Sequence, residues 1–166
     1  MAGHLHRCPA FSIFMIKQYT PKEFKVLNLR ECEPMTELLD NPEQVARYWR
    51  TNITKADWYD PMKEALVVLV LNARKRIIGH NLVSLGGLDS CTCHPREVFR
   101  PVIAVSGSCI ILTHNHPSGD ASPSEDDIRV TRDLIRAGLL LKIEVLDHIV
   151  IGATTHQSLR SLGYFS

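Results

Sequence analysis

Residues 114–127, HNHPSGDASPSEDD, constrain the fold more than any other stretch of this chain. Within them His114, His116, Ser124 and Asp127 stand in the pattern H-x-H-x7-S-x2-D. The apolar run Ile110-Ile111-Leu112, ending at Thr113, reads as a buried strand that delivers the histidines at its polar end. In extended backbone, side chains at i and i+2 face the same way, so the two imidazoles can grip one cation. Pro117-Ser118-Gly119-Asp120 is turn chemistry. Ser124 is a good helix N-cap, and Ser124 with Asp127 makes an S-x-x-D capping signature, which places Asp127 in the first turn of a helix. Ile128, Leu134 and Ile135 are expected on the core side of that helix, and Gly138 is expected to stop it. Strand, turn and helix thus bring two imidazoles and a carboxylate together. Three protein ligands leave a tetrahedral ion one open position, the mark of a catalytic rather than a structural site. Taken singly, the parts have plainer readings: loop histidines are commonly just solvated, and S-x-x-D is commonly only a cap.

The whole segment resembles the JAMM motif of the JAB/MPN metalloprotease superfamily, and HNHPSGD is the form typical of its bacterial RadC-like branch. Residues 94–101 (HPREVFRP) and 146–152 (LDHIVIG) agree with that branch, and the resemblance runs from about Pro42 to the C-terminus. It implies an α/β (α+β) fold, a mixed curved β-sheet flanked by helices in a cytidine-deaminase-like layout. It also implies a Zn2+ ion held by His114, His116 and Asp127, and hydrolysis of a peptide or isopeptide bond through a metal-activated water. Glu64 matches the family's upstream glutamate, the general base, and Ser124 matches the serine that serves the oxyanion. The residues alone would not select Glu64, because a charge just ahead of an apolar run such as 65–71 is usually a solvated strand edge. Ser124 is asked both to cap a helix and to serve the oxyanion, and the sequence leaves both open.

Two other classes compete. Some members of the superfamily have lost the metal and act as scaffolds, so a regulatory or binding module that retains zinc is an alternative. The branch is associated by name with DNA repair, and a metal-dependent nuclease would find spare carboxylates for a second ion in Asp120, Glu125 and Asp126. Charge does not support nucleic acid as a partner: 19 basic against 18 acidic residues leave a net charge of +1, whereas nucleic-acid modules usually carry a basic excess or stripe. The nearest basic cluster, Arg74-Lys75-Arg76, reads as a hairpin turn. The sequence also departs from the family where Gly86-Gly87 replaces a common Gly-Thr.

Other chemistry is weaker. Cys91-Thr92-Cys93-His94 contains zinc-ligand types, but C-x-C is not the usual knuckle spacing, and we read a reduced pair in a loop. Asp147-His148 reads either as a pair that orients a ligand histidine or as the bend between two late strands, 141–146 and 148–151. Cys109 reads as core.

A chain of 166 residues with 45% hydrophobic and 22% charged residues is one ordinary globular domain. We divide it into an N-terminal extension, residues 1–40, and a RadC-like domain, residues 41–166. The extension is expected to hold short strands near 11–16 and 24–27. It has no room for the full helix-hairpin-helix-type region that larger members of the branch carry. Asn41-Pro42-Glu43 starts a helix that turns Val45, Ala46 and Trp49 inward. Pro95 starts another, which Pro101 is expected to end or kink. Residues 77–83 pair with the 65–71 strand, and Gly163-Tyr164-Phe165 is expected to pack back. No apolar run is long enough for a membrane span, and residues 11–16 are too short for a signal peptide. Five cysteines without a disulfide pattern point to a reducing cytoplasm.

Overall fold

The computed structural model describes residues 38–86 and 93–165. The expected strands near 11–16 and 24–27, and the residues Gly87 and Cys91, lie outside them. The architecture is a five-stranded mixed sheet with helices on both faces. The strands are β1 (Ala65–Leu71), β2 (Ile77–Leu85), β3 (Cys109–Asn115), β4 (Glu144–Ile151) and β5 (His156–Ser158), in the spatial order β2-β1-β3-β4-β5. All neighbours are antiparallel except β3 and β4, which run parallel. The helices are α1 (Pro42–Asn52), α2 (Pro95–Ala104) and α3 (Glu125–Leu141). The expected mixed sheet flanked by helices is the one found.

Strand β1 explains the layering. Every residue from Ala65 to Leu71 is buried, and successive side chains alternate between faces. Ala65, Val67, Leu69 and Leu71 join Val45, Ala46, Tyr48 and Trp49 of α1 in one core. Leu66, Val68 and Val70 join Val98, Phe99 and Val102 of α2 with Val130 and Leu134 of α3 in the other. A strand covered on both sides carries a continuous apolar run rather than an alternating one. Helix α1 begins as expected, with the Asn41 side chain accepting from the Gln44 N–H at 2.9 Å and Pro42 at the first position. The tail packs back too, Tyr164 and Phe165 covering Ile128, Val150 and Leu159.

Three local expectations are corrected. Gly138 does not stop α3, which runs on to Leu141 and ends at Lys142 in the left-handed conformation (φ 58°). A Cβ at Gly138 would lie 2.5 Å from the Ile143 carbonyl, so this glycine permits close approach of helix and following chain. Pro101, expected to end or kink α2, does not end it, since the helix continues to Ala104. Proline at that place forfeits one bond, to the Glu97 carbonyl, while burial of Val102 holds the next turn. The two late strands are one, β4, and residue 141 belongs to α3. Pairing with β3 jumps from Ile110↔Val145 to Ile111↔Asp147, so β4 bulges at Leu146 instead of ending there. Among the described residues no helix is long and apolar enough to cross a membrane.

Candidate metal centre

The ends of β1, β3 and α3 meet at one point. His114 lies within β3, opposite Leu66 of β1, and is fully buried. Two residues on, His116 faces the same side, as the extended spacing requires. The turn after it is closed by the His116 carbonyl accepting from the Gly119 N–H at 3.0 Å, with Gly119 at φ 84°. Chain then runs to Ser124, which caps α3. The capping box is complete: the Asp127 N–H donates to Ser124 Oγ at 3.1 Å, and Ser124 N–H and Oγ–H donate to Asp127 Oδ2 at 2.7 and 2.8 Å. Asp127 is thereby held with Oδ1 toward His114 and Oδ2 shared between Ser124 and the His116 side.

Glu64 arrives by register. Leu66 pairs with His114, and the antiparallel ladder continued by two residues sets Glu64 against His116. It is no solvated edge, since its side chain is only 22% exposed. Asn115, the residue between the histidines, clamps the backbone around it. The Asn115 Oδ1 accepts from the Ala65 N–H at 3.0 Å, and its amide donates to the Lys63 carbonyl at 3.0 Å. Nothing in the sequence marks Asn115 beyond its place between the two histidines.

The distances describe a compact cluster of ligand atoms. His114 Nε2 and His116 Nε2 are 3.0 Å apart. Asp127 Oδ1 is 3.2 Å from the first and Oδ2 is 3.4 Å from the second. A tetrahedral ion with bonds of about 2.0–2.1 Å separates its ligands by roughly 3.3 Å, so these atoms stand at the spacing of a metal's ligands. Glu64 Oε1 is further out, 3.6 Å from His114 Nε2 and 3.8 Å from His116 Nε2. His116 donates Nδ1–H to the Asp120 carbonyl at 2.8 Å, because a carbonyl can only accept, which turns a lone pair of Nε2 inward. The donor set of two imidazoles and carboxylates therefore fits a divalent cation.

Electrostatics agree. Burial alone would raise the Asp127 carboxyl, but the adjoining imidazoles of His114 and His116, with the Ser124 N–H, hold it far below the usual carboxylate range. His116 is pushed up, chiefly by Asp127, against its burial. Positive charge is thus favoured at the centre of the cluster. His114 and Asp127 are sealed from solvent, whereas the His116 and Glu64 side chains are 16% and 22% exposed, so the centre opens on their side. A cleft of about 270 Å³ beside His116 is lined by Trp49, Arg50, Tyr59, Pro61 and Ile151.

The remaining candidates lie outside the ligand set. Asp120 accepts from the Ser122 N–H and hydroxyl, both at 2.9 Å. Asp126 pairs with Arg129 at 2.6 Å, and neither it, Asp120 nor Glu125 joins the cluster. Cys93 is buried, which pushes its thiol up to about 11, and His94 caps α2 by accepting from the Arg96 N–H at 3.2 Å. Cys109 is buried in β3, as expected. Asp147 and His148 part company. Asp147 accepts from Ser158 Oγ at 2.6 Å and the Arg160 N–H at 3.1 Å, tying down the C-terminal turn. His148, fully buried and held well below the ordinary histidine range by that burial, lies 2.8 Å from His114 Nδ1 through Nε2.

Residues 39–164 match the model of a family described as the RadC-like JAB domain. A UPF0758 protein of Caldanaerobacter subterraneus subsp. tengcongensis is 48% identical over 103 residues, 62% of this chain and 44% of its own length. One from Methanococcoides burtonii is 46% identical over 104 residues, 63% and 45% of the two chains. One from Shouchella clausii is 37% identical over 137 residues, 82% and 57%. The chain spans about half the length of the curated relatives it matches.

Proposed function

Because the chain belongs to the RadC-like JAB family, we propose that it is a zinc-dependent hydrolase of amide bonds, in a peptide or isopeptide, working in a reducing cytoplasm. The observation that carries the reading is the convergence of His114 Nε2, His116 Nε2 and Asp127 at 3.0–3.4 Å, with Glu64 Oε1 set back at 3.6–3.8 Å. The first three would hold the ion. Zinc in such a site supplies a Lewis acid that polarises a carbonyl and brings the pKa of water at its open position to about 7.

The chain's own groups do the rest. Glu64 stands on the solvent side of the cluster, its carboxylate set back from the ligands. Its carboxylate takes the proton of the attacking water and later gives it to the leaving amine. Asn115 keeps that carboxylate in place by holding the backbone on both sides of it. Ser124 has one hydroxyl proton, which here goes to Asp127 Oδ2. Turning its side chain would offer that proton to the oxyanion, while the Ser124 N–H still anchors the carboxylate. The cleft at Trp49 and Tyr59 gives a substrate residue a place beside His116. The spare carboxylates do not join the cluster, and Asp126 is paired with Arg129, which favours one ion over the two-ion arrangement common in nucleases.

The test is a side-by-side assay on a peptide and isopeptide library and on single- and double-stranded DNA at physiological salt. Amide cleavage that stops with a chelator and with Glu64→Gln is expected, with DNA binding weak and fading steeply with salt. Chelator-sensitive cutting of DNA that depends on His116, with no amide cleaved, would overturn the protease reading. Zinc binding without turnover on either substrate would favour a regulatory module.

A further inference from the structure

We infer that Thr131 and His148 form a relay that fixes the tautomer of His114, so that its Nε2 presents a lone pair to the metal. The inference rests on reading the cluster as a metal centre and adds two positioning residues to it. Neither touches the ion or the substrate; both act through His114.

The direction of the relay follows from counting protons. Thr131 Oγ1 lies 2.6 Å from the Asp127 carbonyl, one turn back along α3. It also lies 2.6 Å from His148 Nδ1. Two oxygens that close repel unless a proton lies between them, and a carbonyl has none to give, so the single hydroxyl proton goes to Asp127. Thr131 can then only accept from His148, which must carry its proton on Nδ1. His148 is fully buried, and its ring nitrogens meet Thr131 and His114. Without a carboxylate at either nitrogen it stays neutral, so its Nε2 is a bare lone pair. At 2.8 Å that lone pair demands a proton from His114 Nδ1. With Nδ1 protonated, His114 has Nε2 free, aimed at His116 and Asp127. The Asp127 main-chain carbonyl starts this chain of hydrogen bonds, and the Asp127 side chain lies at its far end.

The strand is built to allow it. Val145 of β4 faces α2 and α3, and strict alternation would then turn His148 to the other face with Leu146. The bulge at Leu146 shifts the parity by one, and His148 comes to lie beside Leu112 and His114 under α3. Thr131 meets it from the turn of α3 that follows Asp127. Helix, strand and bulge thus converge on one imidazole nitrogen.

Two readouts test this. In the full chain freed of metal, at mildly alkaline pH, long-range proton–nitrogen NMR correlations should show His114 protonated on Nδ1 and His148 bare on Nε2. The opposite pattern, with His148 donating to His114, overturns the relay. The second readout is zinc affinity, by competition with a chromophoric chelator. Thr131→Val keeps the shape but removes the acceptor, and should weaken zinc by about 10- to 100-fold, the usual effect of losing a partner behind a ligand. Thr131→Ser should restore wild-type affinity and the wild-type tautomers. Equal affinity in Thr131→Val, or equal loss in the serine and valine variants, would contradict it. A wild-type chain that takes up no zinc would sink the metal reading, and the tautomer pattern would still decide the relay. The wild-type spectrum also decides it if a variant fails to fold.

Discussion

The segment from His114 to Asp127 and the segment from Cys93 to Glu97 both hold residues that can ligate metals, and they are used in opposite ways. In the first, each donor is backed: His114 by His148, His116 by the Asp120 carbonyl, Asp127 by Ser124. The backing atoms turn the ligating atoms inward, to within 3.0–3.4 Å of each other. In the second, Cys93 is sunk in the core with its thiol pushed up to about 11 by burial, and His94 spends its Nδ1 on the Arg96 N–H. A thiol held in its protonated form is a poor ligand, because the thiolate binds metal. Ligand chemistry in a sequence therefore becomes a site only where neighbouring hydrogen bonds aim it.

That contrast can be broken most severely at Asp127. Asp127→Ala removes a ligand and half of the capping box together, so zinc binding should be lost and α3 weakened by about 1 kcal/mol. Calorimetric titration with zinc, read beside the melting curve, checks both. Retained affinity would mean that the carboxylate is only a cap. Glu64→Gln should do the reverse, keeping zinc and fold while amide hydrolysis falls by about 10²- to 10⁴-fold. An unchanged rate would falsify its role as base, and loss of zinc would make it a ligand. Ser124→Ala is expected to cost about 1 kcal/mol of stability through the cap and to slow turnover about a hundredfold. A stability loss with an undiminished rate would confine it to capping. The smallest effect belongs to the other segment: Cys93→Ala should leave zinc stoichiometry and affinity as they are, which elemental analysis and chelator competition would read.

Much of this was legible in the sequence, because the signals are local. The capping box needs four residues, the paired imidazoles need one extended tripeptide, and β1 announces itself as an unbroken apolar run. What was not legible depends on contacts far apart in the chain. Glu64 carries no local mark; the β1–β3 register sets it against His116, and Asn115 anchors it across 50 residues of sequence. The split between Asp147 and His148 was equally hidden, since a bulge at Leu146 decides which faces the cluster. The role of Gly138 is hidden for the same reason: the sequence marks a glycine, and only packing against Ile143 says why it is needed.

The most direct test of the central claim is the metal content of the purified chain beside that of a His114→Ala/His116→Ala double variant. The account predicts about one equivalent of zinc in the first and none in the second, with both folded. Full zinc retention in the double variant would contradict it and turn attention to Cys91 and Cys93, and so would a wild-type chain that stays empty after incubation with zinc.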